Sequence, residues 1–220
     1  MTIRSTVLLI AASVAALAIG VSSASAQEPG DLYATFGVGS TSLEPTNGTL
    51  HPEGTIVDVR VGDVLFDYDG WSVAIEAGAA YSDASASDNG TFCMDFDCDD
   101  VGSWTEEHTS KWSGTLGFVV SRPVGRLVVS VGAGVRVAEF TQTSHYDNAG
   151  LYDNETYTDT AVGFGTYVAA RVDYPVNDRW SVGLGYESSA MKTEEWSSNY
   201  GSYTSGFDQT TWTAGFRRKF

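Results

Sequence analysis

Cations are scarce in this chain. Twelve Lys and Arg stand against 28 Asp and Glu, a net charge of −16. Such a balance repels a polyanion, so nucleic-acid binding is excluded. Cysteine numbers two and histidine three, which leaves little from which to build a thiolate or imidazole metal centre. After Val21 no long apolar run follows, so no later segment can cross a membrane as a helix. Leucine is sparse as well. What is plentiful instead is Gly (24), Tyr (11) and Trp (6), in segments that alternate rather than run apolar.

The N-terminus reads as an export signal. Arg4 is the only charge in the first 26 residues and precedes an apolar stretch from Val7 to Val21, with small residues at Ala24 and Ala26. A basic start, a short apolar centre and small residues before the cut define a secretory signal peptide, here cleaved after Ala26. A membrane anchor is the poorer reading, because the span is short and lacks a basic stop-transfer flank. Residues 1–26 are therefore set aside, and 27–220 form one domain. Without Arg4 that domain carries 11 Lys and Arg against 28 acids, a net charge of −17.

Alternation is the main signal in it. A β-strand sends successive side chains to opposite faces, so a period of two marks two different environments. Between Trp71 and Tyr81 one set reads Trp71, Val73, Ile75, Ala77, Ala79, Tyr81, and the other Ser72, Ala74, Glu76, Gly78, Ala80. The pattern returns in Trp180, Val182, Leu184, Tyr186 against Ser181, Gly183, Gly185, Glu187. Six more segments follow it: 32–40, 56–65, 111–121, 127–140, 161–174 and 209–220. Arg60, Glu76, Lys111, Arg136, Arg171 and Glu187 fall on the small, polar face, whereas Asp63 and Glu139 break the parity near strand ends. One face is apolar and bracketed by aromatics while the other is polar: a lipid-facing barrel with a polar lumen. Strands of about ten residues suit a tilted bilayer crossing.

The connections alternate too. Residues 67–70, 122–125 and 175–178 are short turn sequences, whereas 41–55, 83–109, 141–156 and 188–208 are long and polar. The expected fold is all-β: an eight-stranded antiparallel up-and-down transmembrane barrel with its long loops outside. Eight strands leave an interior that side chains can fill. There Asp58, Glu76, Asp173 and Glu187 are expected to pair with Arg60, Lys111, Arg136 and Arg171 in an ion-pair network. Trp71, Trp180, Tyr174 and Phe220 are expected at one membrane interface, and Tyr81, Trp112, Tyr186 and Trp212 at the other.

The final strand alternates Trp212, Ala214, Phe216 and ends on Phe220. With the pattern of the whole mature chain, this resembles the small eight-stranded outer-membrane β-barrel family, of the OmpA-barrel and opacity-protein type. Arg218 departs from it, since it stands on the lipid-facing parity where the family usually has an apolar or aromatic residue. The resemblance implies residence in the bacterial outer membrane and recognition of Trp212, Phe216 and Phe220 by the barrel assembly machinery. It also implies contact with outer-membrane lipid and lipopolysaccharide, and a monomer. No periplasmic, peptidoglycan-binding domain is expected after Phe220.

Candidate chemistry is thin. His51, His108 and His145 are scattered over expected loops, outside any catalytic motif, which argues against an enzyme. Cys93 and Cys98 share one exported loop, so a disulfide is expected. Asp95, Asp97, Asp99 and Glu106 stand at positions 1, 3, 5 and 12 of a calcium-loop spacing, yet position 6 is Asp100 where the motif requires Gly. Loosely held Ca²⁺ or Mg²⁺, with no true cofactor, is the expectation. The functional expectation is a non-enzymatic outer-membrane protein serving envelope integrity and surface interaction through acidic loops. A narrow channel for ions or small solutes is the alternative, and a lipid-modifying enzyme the third.

Overall fold

The computed structural model describes residues 32–45, 50–93, 101–147, 155–193, 196–198, 201–203 and 206–220. Eight antiparallel strands close into a ring: β1 (Leu32–Pro45), β2 (Glu53–Tyr68), β3 (Trp71–Cys93), β4 (Val101–Val124), β5 (Leu127–Asp147), β6 (Glu155–Pro175), β7 (Trp180–Thr193) and β10 (Gly206–Lys219). Two three-residue strands, β8 (Trp196–Ser198) and β9 (Gly201–Tyr203), pair with each other between β7 and β10. Each barrel strand pairs with its chain neighbour, and β1 closes the ring on β10. Closure leaves no unpaired edge where the strands cross lipid, which is why a barrel can cross at all.

One end of the barrel is tight. Asp69 and Gly70 both take positive φ between the paired Tyr68 and Trp71, the geometry of a two-residue type I′ hairpin. Gly125 takes positive φ before Arg126, and Val124 pairs Leu127, so this turn is equally short. The third turn is held by the Asn177 side-chain oxygen, which accepts from the Arg179 and Trp180 amides, both at 2.9 Å. Leu32 and Phe220 meet at the same end, the Phe220 amide donating to the Leu32 carbonyl at 3.0 Å.

The outward face is the apolar one. Leu184 is 67% exposed and Val168 59%, values no water-soluble core would leave on a surface in such number. On β5 the outward set from Leu127 to Val137 covers a height of about 25 Å at a usual barrel tilt, the thickness of an outer-membrane apolar band. Aromatics bound this band. Tyr81 meets Trp112 and Tyr186 meets Trp212 on one side, with ring centroids at 4.7 and 4.6 Å. Trp71, Tyr174, Trp180 and Phe220 lie toward the short turns.

Two expectations need correction. Residues 83–109 and 141–156 are not simply loops, because β3 and β4 run 23 and 24 residues and β5 and β6 run 21. Beyond the band the outward face meets water and is polar, so the alternation that betrays a lipid-facing strand fades while the pairing continues. Threonine side chains line that extension, with Thr141 to Thr160 at 3.3 Å and Thr143 to Thr158 at 3.4 Å. Second, a bulge sets Lys111 and Trp112 together opposite Glu139, between the pairs Ser110–Phe140 and Ser113–Ala138. Parity slips by one there. Ser110 takes the inward position and Lys111 is exposed, so it does not belong to the lumen set.

Candidate functional site

Among the described residues, the lumen is where buried ionisable groups from many strands converge. Strand parity brings Asp58 and Arg60 from β2, Glu76 from β3, Arg136 from β5, Arg171 and Asp173 from β6, and Glu187 from β7 into it. Arg60 lies at the centre. Its Nε donates to Asp58 at 2.7 Å, one terminal nitrogen to Glu187 at 2.7 Å, and the other stands 3.4 Å from Glu76. Arg136 pairs with the second Glu187 oxygen and donates to Ser113 at 2.7 Å. Glu187 thus ties β2 and β5 to β7 across the interior.

A second cluster lies nearer the short turns. The Arg171 Nε donates to Asp173 at 2.7 Å, and Arg217 stands 3.1 Å from the other Asp173 oxygen. Arg217 also lies 4.6 Å above the Tyr33 ring, whose hydroxyl donates to Glu76 at 3.0 Å and joins the two clusters. Arg217 was not among the expected lumen residues. Its signal was available, since it shares the parity of Thr211, Thr213 and Gly215 and opposes that of Trp212 and Phe216. With Arg217 in the place expected of Lys111, four arginines face four carboxylates. That neutrality matters, because an unpaired charge in so narrow a space would cost several kcal/mol (about 3–5).

Glycines on the inward face make room for these groups. A Cβ at Gly183 would collide with the Asp173 carboxylate, and one at Gly62 with the Tyr33 ring. At Gly78 it would meet Thr115 at 2.6 Å and the Arg60 stem at 3.0 Å. Small and large residues alternate around the lumen so that the taper fills. What remains among the charges is a cavity of about 50 Å³ bordered by Arg60, Glu76, Tyr167, Arg171 and Arg217.

Above the charges, toward the long loops, the lumen turns apolar. Thr41, Gln209 and Thr211 form a hydrogen-bonded step, with Gln209 donating to Thr41 at 2.8 Å. Over it Leu43, Ala84, Ala138, Phe140, Ala161, Met191 and Phe207 make one buried cluster drawn from six strands. Phe140 and Phe207 stack with centroids 4.3 Å apart. Their exposures of 3% and 5%, with 2% for Met191 and 1% for Leu43, mark a packed apolar layer at this level of the lumen. A wholly polar lumen was expected. The missed signal is that Phe140, Met191 and Phe207 share the inward parity of Arg136, Glu187 and Arg217 on their strands, and Leu43 that of Thr35 and Thr41.

The remaining candidates are dispersed. Glu106 sits within β4, where its carboxylate accepts from His108 and, at 2.7 Å, from Gln142. His145 on β5 bonds Thr156 at 2.9 Å. No group of three metal-ligating side chains occurs among the described residues. Asp95, Asp97, Asp99 and Cys98 lie outside the described residues, as do the Cys93 side chain and the signal segment 1–26. Trp212 and Phe216 face outward on β10, and Phe220 follows that strand.

Comparison with known proteins agrees with this architecture. Among solved structures the chain is similar to the outer membrane protein OprG from Pseudomonas aeruginosa, at 13% identity and a TM-score of 0.50, covering 87% of this chain and 96% of that one. Neisserial surface protein A follows at 12% identity and 0.44, covering 86% and 97%. The outer membrane protease OmpT from Escherichia coli gives 11% and 0.47, covering 90% and 99%. At 13% identity the likeness to OprG shows the fold alone. No curated protein matches by sequence. The family described as outer membrane protein beta-barrel domain matches residues 6–220. With that match over nearly the whole chain, the protein belongs to the outer membrane protein beta-barrel family, an eight-stranded barrel of the bacterial outer membrane.

Proposed function

We propose that this barrel is a closed, non-enzymatic wall element of the outer membrane that serves envelope integrity and meets the surroundings through its acidic long-loop end. The observation that carries this reading is the filled bore: an apolar layer stands over a neutral ion-pair layer. Water and ions find no continuous polar path through such a stack, because an ion entering the Phe140–Phe207 layer would lose its hydration without replacement. The short-turn end faces the periplasm and the long loops face outside, as short and long connections do in such barrels.

The long-loop segments 41–55, 83–109, 141–156 and 188–208 hold about sixteen acids against one Lys. Beside lipopolysaccharide phosphates, loosely held Ca²⁺ or Mg²⁺ would compensate that charge, since hard cations take oxygen ligands. Trp212, Phe216 and Phe220 serve recognition by the assembly machinery, and the barrel works as a monomer.

A deletion strain tests the reading. Loss of the protein should raise sensitivity to detergents and bulky antibiotics several-fold, with lipid A mass spectra unchanged and resistance restored by the intact gene. Altered lipid A acylation or phosphate content in that strain would turn the assignment toward an enzyme.

A further inference from the structure

Arg218 interrupts the apolar pattern of the lipid face, and the structure shows that it does not stand alone. It pairs directly across the ladder with Trp180, the first residue of β7. Its guanidinium lies 5.4 Å over the Trp180 ring and 5.0 Å from the Phe220 ring. The same device occurs at Trp71, the first residue of β3. The register that pairs Ser72 with Ser121 sets Trp71 beside Arg122, whose guanidinium lies 4.8 Å over the indole. Tyr68, the hairpin partner of Trp71, is an exposed second aromatic there.

The two pairs are not neighbours. Around the ring one spans β7 and β10 and the other β3 and β4, which are opposite sides of the barrel. Both stand at the short-turn rim, on the outward face, directly above an apolar channel of side chains: Val73 and Val120 under one, Val182 and Phe216 under the other. Among the described residues neither guanidinium forms an ion pair with a carboxylate. Arg126 and Arg179 lie at the same end in exposed turns, without a ring beneath them.

A guanidinium held over an indole without a carboxylate partner keeps N–H donors free, and such a fork fits two oxygens of a phosphate. The ring fixes its depth at the interface, where amphipathic aromatics settle. Below it the apolar outward positions suit an acyl chain. We propose that each arginine–tryptophan pair, Arg122 with Trp71 and Arg218 with Trp180, is a binding site for the phosphodiester of an anionic glycerophospholipid. The sites hold the barrel on two opposite sides at a set depth in the leaflet at the short-turn end. Assigning that leaflet to glycerophospholipid rests on the orientation proposed above.

Native mass spectrometry of the purified full-length mature barrel in detergent measures this, with phosphatidylglycerol or phosphatidylcholine of the same chains added. The barrel should retain two phosphatidylglycerols under conditions that strip phosphatidylcholine. R122Q and R218Q should each retain one, the double variant none, and R126Q two. Heat-dependent gel mobility reports that each variant is folded. Two lipids on the double variant would overturn the proposal. So would an equal loss in R126Q, which would mean net charge alone, or equal retention of both lipids by the unmutated barrel, a measurement that needs no variant. Because lipid is added in detergent, the result is independent of which leaflet the rim meets and of whether the lumen conducts.

Discussion

Glu187→Ala should lower the unfolding free energy of the barrel by about 3–5 kcal/mol, the range seen when one member of a buried ion pair is removed. The size follows from position. Glu187 is 3% exposed and accepts from Arg60 on β2 and Arg136 on β5. Truncation leaves the Arg136 guanidinium buried without a carboxylate, while Arg60 keeps Asp58 and Glu76. Urea unfolding from lipid vesicles, followed by tryptophan fluorescence, reads the loss. The double variant R136M/E187M should recover most of it, because Arg60, Arg171 and Arg217 then face Asp58, Glu76 and Asp173, and the burden lies in the uncompensated charge and not in the missing contact. Lys111→Gln serves as the control and should change stability by no more than about 0.5 kcal/mol, since Lys111 is exposed outside the lumen. A loss below about 1 kcal/mol for Glu187→Ala would mean that the interior is wet enough to screen these charges.

The second large effect belongs to the apolar layer. Phe140→Ala should cost about 3–5 kcal/mol, the usual range for deleting a buried aromatic ring. Phe207 loses its stacking partner at 4.3 Å, and Gly163, whose Cβ position lies 2.6 Å from the Phe140 ring, offers nothing to refill the space. Phe207→Ala should cost a similar amount, and the double variant less than the sum, because each single change already breaks the stack. Strict additivity in the same vesicle assay would show that the two rings do not act together.

Most of the transmembrane architecture was legible in the sequence because lipid imposes a period of two with a sharp contrast between faces. Trp71 to Tyr81 and Trp180 to Glu187 carry that contrast undiluted. It vanished above the membrane, where 83–93, 101–109 and 141–147 remain strand but the outward face carries residues such as Asp83, Ser85, Thr105, Glu107, Thr141 and Thr143, so these segments read as loop. Lys111 was misplaced for a related reason. Parity counting assumes an unbroken ladder, and the bulge at Lys111–Trp112 inserts one residue that sequence alone does not announce. The ion-pair partners Asp58, Arg60, Glu76, Arg136, Arg171, Asp173 and Glu187 were assignable to the lumen by parity. Which carboxylate meets which arginine depends on stagger around the ring, and that is set by long-range register. The apolar layer hid behind the expectation that a lumen is polar throughout. Phe207 pairs with Met191 across β10 and β7, Phe140 joins them through β6, and closure of β1 on β10 brings Leu43 to the same level.

Single-channel recording in a planar bilayer tests whether this bore is closed. The unmutated barrel should show no steady conductance above the bare membrane in 1 M salt, ~7 times physiological ionic strength, and discrete openings should appear once Phe140 and Phe207 are both alanine. Steady openings of the unmutated barrel, altered in ion selectivity when Glu187 or Arg136 is neutralised, would contradict closure and make the lumen a pore.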